Sequence, residues 1–478
     1  MIVMKFGGTS VEDPECIERV ASIIRDRLAQ RPVIVVSAMG KTTQMLLDAA
    51  RASAAGDGKS STELVSEIRA RHLGHARELI KRESQEEIRL IDQYFDELRK
   101  LLEGLAVLGD VPPRGLDKIL SYGELLSSAI VSGSLIERGV PSRLLDARQF
   151  IKTDDRFGMA SPIAELTNRL VGQTVVPVVE SGSVPVIQGF IGSALHGATT
   201  TLGFEGSDYT AAIVGSALDA SDIQIWKDVS GLMTADPAIM SGARTVKACT
   251  YQEAAELTYF GAKVLHPKAI YPAAAKNIPV HIYNSRRPAA TGTAITAAAP
   301  ACSNVIKSIA YKRPISVIRF SATAGPRTPA AEAHFGHQDG SLNAVLNAAI
   351  ETLARRGAAP LLAMVTGSCA IIALPGAALE GDNGRYLIDQ IQQLGPLDIH
   401  HDQAIVSVVG ESLKTHRDRA APMLNSMLRA LPGLEIGLVV HGSSPIVTNL
   451  LIGQNDVEDA VSRLHELFFN QLDPAVFE

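Results

Sequence analysis

Apolar residues in the first 300 positions occur in short runs that are separated by amphipathic stretches. Continuous apolar runs are typical of strands buried on both faces, and they predict strands at residues 2–6, 32–36, 143–145, 175–179, 184–189, 223–226 and 280–283. After the first run, Asp13-Pro14 begins a helix whose apolar face extends from Ile17 to Leu28. Strands that alternate with helices predict an α/β fold with a mainly parallel sheet covered by helices.

Two longer stretches have a different pattern. Residues 62–105 are strongly charged, which predicts one or two long helices that are mostly solvated. His72, His75 and Glu78 occur there at helical spacing, and we interpret them as part of the solvated face rather than as a metal site. Residues 116–138 are rich in small and apolar residues, which predicts a closely packed helix.

The pattern changes after residues 286–303, where small residues and prolines indicate a linker. The order strand, helix, strand, strand, helix then occurs twice, which predicts two small α+β domains. We therefore expect one large domain at residues 1–298 and two small ones at 299–390 and 391–478. A Pro/Gly/His-rich stretch at residues 322–339 is expected to be a mobile loop.

Composition and charge narrow the functional classes. The 478 residues are 46% hydrophobic and 20% charged, which supports a sizeable core. The chain has 45 basic and 51 acidic side chains and a net charge of −6, which argues against a nucleic-acid or anionic-membrane partner. No apolar run reaches the ~18 residues of a membrane span, and the first residues predict a strand rather than a signal peptide. We expect a cytoplasmic protein.

The cysteines and histidines do not indicate a metal site. Cys16, Cys249, Cys302 and Cys369 are far apart and form no CxxC motif, so neither a disulfide framework nor a thiolate site is predicted. The histidines form no HExxH motif. We therefore expect no resident metal ion.

The strongest local motif is KFGGTS at residues 5–10, directly after the first predicted strand. Gly7 and Gly8 would let backbone N–H groups approach an oxyanion, and Lys5 would add a charge suited to phosphate oxygens. The alternative is an ordinary turn at a strand end with a surface lysine. Spacing alone leaves both interpretations open.

Two further motifs carry polar groups near predicted element ends. VVSAMGKTT at residues 35–43 supplies the hydroxyls of Ser37 and Thr43 at the end of a strand, where open α/β sheets bind ligands. Its Gly-Lys-Thr is not a P-loop, because Val35 stands where that motif needs glycine. YGELLSS puts Glu124 into an apolar helix, so this carboxylate is either salt-bridged or a ligand for a cationic group.

A glycine-rich stretch, TTTLGFEGSDYTAA at residues 199–212, precedes a predicted helix. Its threonines, glycines and Ser207 could wrap phosphates while the helix N-terminus faces the charge. Asp208 could equally be only an N-cap. Further on, WKDVSGLMTADP at residues 226–237 has the form of a loop at a nucleotide's edge, and FGAKVLHPKAI at residues 260–270 offers a second lysine.

Taken in this order, the six motifs resemble those of the aspartokinases, in the amino-acid-kinase superfamily. The resemblance continues through IKSIAYKRPIS into the C-terminal units, so it covers almost the whole chain. It implies a three-layer α/β/α amino-acid-kinase domain followed by two ferredoxin-like ACT domains. It further implies that the γ-phosphoryl group of ATP, carried with Mg²⁺, is transferred to the side-chain carboxylate of L-aspartate to give 4-phospho-L-aspartate.

The resemblance also implies roles for particular residues. The catalytic residues would be Lys5, Asp208 and Lys263. The substrate-binding residues would be Ser37, Thr43, Glu124, Thr201 and Phe204. The nucleotide-binding residues would be Gly7, Gly8, Gly203, Gly206, Ser207, Trp226, Lys227, Asp228, Met233 and Asp236.

The chain departs from the family pattern at several of these positions. Phe204-Glu205 stands where most relatives have arginine followed by a small or polar residue, and that arginine is the usual partner of the substrate carboxylate. Lys227, Met233 and Ala238 stand where threonine, tyrosine and arginine are expected. Lys227 could recover a phosphate contact, whereas Met233 cannot donate the lost hydrogen bond.

Two alternative functions remain open. The altered Phe204 position is compatible with a kinase for a different small amino acid or carboxylate. A non-catalytic, ACT-bearing sensor is the other alternative, and the preserved Lys5, Asp208 and Lys263 count against it. Because ACT units usually pair across subunits, the resemblance implies a homodimer or a larger assembly, with small-molecule substrates and an amino-acid effector. The first unit lacks the acidic residue usual near Ala363, which argues against feedback control by lysine or threonine at that pocket.

Overall fold

The computed structural model describes residues 1–83, 85–203, 205–262, 265, 267–321, 342–411, 420–442 and 444–478. Two sheets organise these residues. An eight-stranded, mainly parallel sheet lies in the N-terminal part, and a six-stranded antiparallel sheet lies in the C-terminal part. The mixed α/β fold expected from the sequence is confirmed.

The elements of the N-terminal part follow the alternation predicted from the sequence. Its strands are β1 (Ile2–Phe6), β2 (Pro32–Val36), β3 (Ser142–Leu145), β4 (Lys152–Thr153), β5 (Val184–Gln188), β6 (Ile191–Ala194), β7 (Thr199–Thr201), β8 (Asp222–Lys227), β9 (Ala248–Thr250), β10 (Val280–Asn284) and β11 (Thr293–Thr296). Its helices are α1 (Pro14–Arg25), α2 (Thr42–Ala54), α3 (Gly58–Leu79), α4 (Glu86–Leu108), α5 (Pro113–Leu120), α6 (Tyr122–Glu137), α7 (Ala164–Glu180), α8 (Gly206–Ala217), α9 (Tyr251–Tyr259) and α10 (Pro267–Ala275).

The larger sheet has the order β3-β5-β2-β1-β8-β10-β11-β9, and strands β4, β6 and β7 form a small separate sheet. Neighbouring strands of the larger sheet are parallel, except that β10 and β11 are antiparallel. Every residue of β1, β2 and β5 is buried, which explains why these strands are continuous apolar runs. β1 therefore lies in the middle of the sheet, with its carboxyl end between those of β2 and β8.

The strand predicted at residues 175–179 is wrong, because these residues belong to helix α7. Val171, Val175, Val178 and Val179 are all buried, and their spacing is that of one helical face. A short run of valines cannot distinguish a buried strand from such a face. The apolar face of α1 is also shorter than predicted, since the helix ends at Arg25 and Leu28 is 38% exposed.

The charged stretch forms two helices, α3 and α4, and the face of α3 that carries His72 is buried. His72 is fully buried, and its ring lies edge-on to Phe95 with the centroids 6.4 Å apart. Burial lowers the pKa of His72 to about 4, so the ring is neutral at pH 7. The interpretation of His72 as part of a solvated face is therefore wrong.

Among the described residues, one helical stretch, Pro113–Glu137, is long and apolar enough to cross a membrane. It contains α5 and α6, and 89% of its most apolar window is buried inside the protein. Helix α6 packs against strands β2, β3 and β5 and against helices α3 and α4. This stretch therefore serves as a core helix pair.

The C-terminal part contains strands β12 (Ser308–Ser321), β13 (Leu362–Val365), β14 (Cys369–Pro375), β15 (Leu397–Val409), β16 (Ile436–His441) and β17 (Val447–Gly453). Its helices are α11 (Leu342–Arg355), α12 (Gly381–Gln392), α13 (Ala420–Ala430) and α14 (Val457–Phe469). The strand order is β13-β14-β12-β15-β17-β16. The loop predicted at residues 322–339 lies outside the described residues.

Strands β12 and β15 are long enough to serve both halves of this antiparallel sheet. Residues 308–312 of β12 pair with residues 405–409 of β15, beside β17, whereas residues 315–321 pair with β14. The two repeats read from the sequence are thus parts of one continuous sheet, and the chain crosses between them along β12.

Candidate active site

The candidate site lies at the carboxyl ends of β1, β2 and β8, next to the N-terminus of α8. Phe6, the last residue of β1, pairs in register with Val36 of β2 and with Trp226 of β8. Parallel strands that end together leave a crevice beyond their carboxyl ends, where open α/β sheets bind ligands. Lys5, Ser37 and Lys227 are brought to this edge by three separate strands.

Lys5 and Asp208 form a buried ion pair in this crevice. The Lys5 ammonium lies 2.6 Å from Asp208 Oδ1, and the side chain of Asp208 is fully buried in the first turn of α8. Burial alone would raise the pKa of Asp208, but the ammonium groups of Lys227 and Lys5 lower it to about 2. Burial lowers the pKa of Lys5, and Asp208 opposes that shift. Asp208 is therefore an anion that holds Lys5, rather than only an N-cap.

The glycines after β1 have a packing role that the sequence did not reveal. A Cβ on Gly8 would lie 2.6 Å from the carbonyl oxygen of Ala38, so only glycine lets the two loops approach this closely. The amide of Gly7 already donates to Trp226 O at 2.9 Å. That donor is used inside the protein, which weakens the prediction that Gly7 contributes its N–H to an anion site.

Glu124 reaches the same crevice from helix α6. Its Oε1 accepts a hydrogen bond from the amide of Ala38 at 3.1 Å, whereas its buried Oε2 has no hydrogen-bond partner. Ser127 of the same helix donates to the carbonyl of Ser37, which fixes α6 against the turn after β2. Burial raises the pKa of Glu124 to about 8. An orphaned carboxyl oxygen in a crevice is suited to a cationic ligand.

Thr201 is held by Asp117, an acidic residue that the sequence analysis did not single out. Asp117 is buried in α5 and accepts hydrogen bonds from the amide of Thr201 (2.8 Å), its hydroxyl (2.9 Å) and the amide of Gly158 (3.0 Å). The hydroxyl of Thr201 is thus already a donor inside the protein. Helix α5 also carries Arg114 and Lys118, so no local signal distinguished Asp117 in the sequence.

The loop between β7 and α8 bends sharply before the helix. Gly203 (φ +85°) and Glu205 (φ +53°) are both left-handed, and Ser207 and Asp208 follow in the buried first turn of α8. Phe204, between them, lies outside the described residues. The helix N-terminus faces the crevice beside Lys5, as the glycine-rich motif predicts.

Lys227 was predicted at the edge of a nucleotide, and the structure directs its side chain to Asp208 instead. Its Nζ lies 2.9 Å from Asp208 Oδ2 and 3.7 Å from Glu205 Oε1. Burial alone would lower the pKa of Lys227, but Asp208 and Glu205 raise it above its ordinary value. Glu205 also belongs to this cluster, although from the sequence it was only a departure from the family pattern.

Trp226 also lies elsewhere than expected. Its ring is fully buried between Phe6 (centroids 6.0 Å apart) and Tyr283 (4.8 Å). Its carbonyl oxygen accepts from Gly7 and Ser10. The ring is therefore part of the core, and only the main chain of Trp226 borders the site.

A cavity of about 610 Å³ lies under residues 228–237, which directly follow Lys227 in the chain. Asp228, Met233 and Asp236 line it, as do Gly261 and Ala262, which lead to Lys263. Lys263 itself lies outside the described residues, so its expected approach to Lys5 stays a prediction. The cavity walls are largely apolar, which suits a nucleoside.

Three features of this cavity were missed by the sequence analysis. Arg244 and Arg287 line it and add positive charge. Strand β12 forms another wall, because Ser308 Oγ donates to Met233 O (2.6 Å), Ile309 N donates to Thr234 O (2.8 Å) and the Tyr311 hydroxyl donates to Asp236 (3.0 Å). The cavity is thus built from both parts of the chain.

Comparison with known sequences places these features in a family context. The sequence model of the Amino acid kinase family matches residues 1–284. Aspartokinase 2, chloroplastic, of Arabidopsis thaliana is 34% identical over 99% of this chain and 85% of that protein. Lysine-sensitive aspartokinase 3 of Escherichia coli K12 is 30% identical over 98% of this chain and 99% of that protein.

Solved structures give the same result for the whole chain. The structure of E. coli aspartokinase III in complex with aspartate and ADP (R-state) matches with a TM-score of 0.86 and 29% identity, over 98% of this chain and 100% of that one. The T-state of that enzyme, in complex with lysine and aspartate, matches with a TM-score of 0.75 over the same shares. The likeness therefore extends over both sheets.

Proposed function

The chain belongs to the amino acid kinase family and, within it, to the aspartokinases, and on this premise we propose that it uses ATP to phosphorylate the side-chain carboxylate of L-aspartate. It is an aspartate kinase, and its product is 4-phospho-L-aspartate. The observation that carries this assignment is the buried Lys5–Asp208 pair at the carboxyl end of the central strand.

The chemistry requires positioning and charge neutralisation rather than a strong base, because the attacking carboxylate is already an anion. We propose that Lys5 and Lys263 contact oxygens of the transferred phosphoryl group. Asp208 holds Lys5 in place, and the N-terminus of α8 adds its positive end to the same region. The two amines and the helix N-terminus would stabilise the negative charge that spreads over the phosphoryl oxygens during transfer, and Asp208 would act only through Lys5.

Glu124 is the proposed partner of the substrate ammonium. Its buried, unpartnered Oε2 supports this role, because binding a cation would satisfy that oxygen. Ser37, at the turn against which α6 packs, and Thr43, in the first turn of α2, would supply hydroxyl contacts to the same amino acid. Thr201 and Phe204 would border it from the opposite loop.

The nucleotide would occupy the cavity under residues 228–237, bordered by Asp228, Met233 and Asp236 and approached by the loop of Gly203, Gly206 and Ser207. Mg²⁺ would arrive with ATP. Both oxygens of Asp208 face lysine ammonium groups, so this carboxylate is not a free metal ligand. The ion would be held mainly by triphosphate oxygens and water, and would offset part of the triphosphate charge.

We also propose the division into a kinase domain at residues 1–298 and ACT-type domains at 299–390 and 391–478, with the sheet continuous between the last two. Self-association through the C-terminal sheet would give a homodimer or a larger assembly. An amino-acid effector at that sheet is supported by the lysine present in the T-state structure of the E. coli relative. The proposed compartment is the cytosol.

The assignment is tested by measuring ADP release with aspartate, glutamate and other small carboxylates, with hydroxylamine added to trap an acyl phosphate. Trapping that depends on both ATP and aspartate is the expected result. Turnover with a different acceptor alone would assign the other substrate class that Phe204 leaves open. Binding of ATP without ADP release would overturn the kinase assignment.

Phe204→Arg tests how the acceptor is held. If the arginine usual at this position is a missing contact, the KM for aspartate should fall severalfold, because a guanidinium pairs with a carboxylate through two hydrogen bonds. The KM for ATP should stay unchanged and serves as the internal control. An unchanged KM for aspartate would mean that another cation already fills this role.

A further inference from the structure

Asp208 holds two lysines, one on each carboxylate oxygen. Lys5 Nζ lies 2.6 Å from Oδ1 and Lys227 Nζ lies 2.9 Å from Oδ2. Lys227 also lies 3.7 Å from Glu205 Oε1. The four groups form a row of alternating charge. Lys5 belongs to strand β1, Asp208 to helix α8, Lys227 to strand β8 and Glu205 to the turn before α8.

The row is closed to solvent at one end and partly open at the other. The side chains of Lys5, Asp208, Lys227 and Glu205 are 6%, 0%, 13% and 23% exposed. Charges at this depth persist only when they are compensated, and two cations with two anions give a neutral row. An incoming phosphoryl group would add negative charge to this neutral row, and Lys5 and Lys227 are the cations of the row that could offset it.

The position of Lys227 beside the turn after β1 supports a direct role in phosphoryl transfer. A Cβ on Gly7 would lie 3.7 Å from Lys227 Cγ and 3.8 Å from Lys5 Nζ, so both side chains border the space above the turn after β1. Each ammonium group also lies within ion-pair distance of one oxygen of Asp208. Asp208 thus keeps the two amines next to each other at this turn.

We propose that Lys227 is a further catalytic amine of the transfer step, in addition to Lys5 and Lys263, which contacts the moving phosphoryl group, and that Glu205 is the positioning residue that orients it. This inference rests on the proposed kinase function. In the step, the bond from the γ-phosphorus to the bridging oxygen breaks and its electron pair leaves with ADP. A carboxylate oxygen of the acceptor forms the new bond to phosphorus, and both lysines keep their protons throughout.

The inference separates Lys227 from a residue that only borders the nucleotide. A border contact is made equally in the ground state and in the transition state, so its loss raises the KM for ATP and leaves kcat unchanged. A catalytic amine acts on charge that develops during transfer, so its loss lowers kcat. The change in kcat, compared with the change in the KM for ATP, therefore decides between the two roles of Lys227.

The experiment compares Lys227→Met, Lys227→Arg and Glu205→Gln with the wild-type chain in the ADP-release assay. We expect Lys227→Met to lower kcat by about tenfold or more, with a smaller change in the KM for ATP. Lys227→Arg keeps the charge on a different geometry and should retain more activity than Lys227→Met. Lys276→Met removes a lysine that pairs with Asp219 at the surface, and it should behave as wild type.

A double-mutant cycle tests the positioning role of Glu205. Glu205→Gln should lower kcat severalfold when Lys227 is present and have no further effect in the Lys227→Met background, because its influence passes through that amine. A merely structural Glu205 would give additive losses. Circular dichroism and thermal unfolding show whether each variant is folded, and Lys227→Gln, which also removes the positive charge, carries the test if Lys227→Met is not folded.

The outcomes distinguish this inference from the proposed function. A folded Lys227 variant without the positive charge whose kcat stays within about twofold of wild type overturns the catalytic role and leaves the kinase assignment intact. If the wild-type chain turns over only another acceptor, the same kcat comparison is made with that acceptor and decides the role of Lys227. If the wild-type chain turns over no acceptor, both proposals fail.

Discussion

Lys5 is the residue on which the proposed transfer chemistry depends most directly. It lies in the centre of the larger sheet, is only 5% exposed and touches a fully buried aspartate. Replacing it with alanine removes a cation that faces the phosphoryl oxygens. We expect Lys5→Ala to lower kcat by more than about tenfold, as measured by coupled ADP release.

The same substitution leaves Asp208 paired with Lys227, which should keep the variant folded. Thermal unfolding checks this, and Lys276→Met at the surface is the control for loss of a lysine as such. An unchanged kcat in folded Lys5→Ala would remove Lys5 from the mechanism.

Glu124 should make aspartate binding depend on pH. Burial raises its pKa to about 8, so the free enzyme carries this group mostly protonated at pH 7. Pairing with an ammonium group requires the carboxylate, and the deprotonated fraction grows as pH rises through 8. We therefore expect the KM for aspartate to fall between about pH 6.5 and about pH 8.5, while the KM for ATP changes little.

Glu124→Gln keeps the size of the side chain and removes its titration. It should raise the KM for aspartate and abolish the pH dependence of that constant. A wild-type KM for aspartate that is flat across this range would show that Glu124 does not hold the ammonium group.

Sequence motifs singled out Lys5, Asp208 and Glu124 as candidate site residues, because glycine-rich turns and isolated charges are local signals. The motifs could not show which of the site residues pair with one another. Lys227 follows an apolar strand, and nothing in its neighbourhood indicates that its amine turns to Asp208. Asp117 and Thr201 are 84 positions apart, and only the fold makes them partners.

At the scale of elements, the turn after α9 joins the nucleotide cavity to the C-terminal sheet. Gly261 has φ +113°, and a Cβ there would lie 2.0 Å from the carbonyl oxygen of Tyr311 in β12. Gly261→Ala must therefore push β12 away from the turn or unfold the turn. We expect it to destabilise the protein by about 2–4 kcal/mol and to raise the KM for ATP.

Gly242→Ala is the matched control, because a Cβ at that loop position meets nothing within 4 Å. Urea unfolding and the KM for ATP should match wild type for Gly242→Ala and differ for Gly261→Ala. Equal behaviour of the two variants would mean that the close approach of β12 is not needed in solution.

Elements were predictable from sequence where the period of apolar residues was unambiguous. β1, β2 and β5 are fully buried and appear as unbroken apolar runs. The valines at 175–179 also form such a run, but the buried Val171 one turn earlier belongs to the same face, and tertiary packing made the segment helical. The charged helices α3 and α4 concealed a buried His72, because most of their residues face water.

At the scale of the whole molecule, the C-terminal sheet contacts the loop at residues 228–237, which covers the proposed nucleotide cavity. Strand β12 bonds to Met233 and Thr234, and His465 of α14 lies 2.9 Å from the hydroxyl of Thr234. A change in the C-terminal sheet would therefore be felt directly at residues 228–237.

A buried ion pair holds the two parts of the molecule together. Lys307, just before β12, lies 2.9 Å from Glu253 of α9, and their side chains are 4% and 0% exposed. The other oxygen of Glu253 accepts from the amide of Glu411, which follows β15. One carboxylate thus joins the kinase part to both long strands of the C-terminal sheet.

Breaking this pair from one side should be costly, because it leaves a buried carboxylate without its cation. We expect Lys307→Met to lower the free energy of unfolding by about 3–5 kcal/mol. The double variant Glu253→Gln/Lys307→Met should recover only part of that loss, since glutamine removes the uncompensated charge but has one oxygen for the two backbone amides, of Thr250 and Glu411, that the carboxylate accepts from. Urea unfolding of the three proteins measures both effects. A double variant less stable than Lys307→Met would show that the carboxylate is needed for more than pairing with Lys307. A Lys307→Met variant with the free energy of unfolding of wild type would show that this ion pair does not join the two parts.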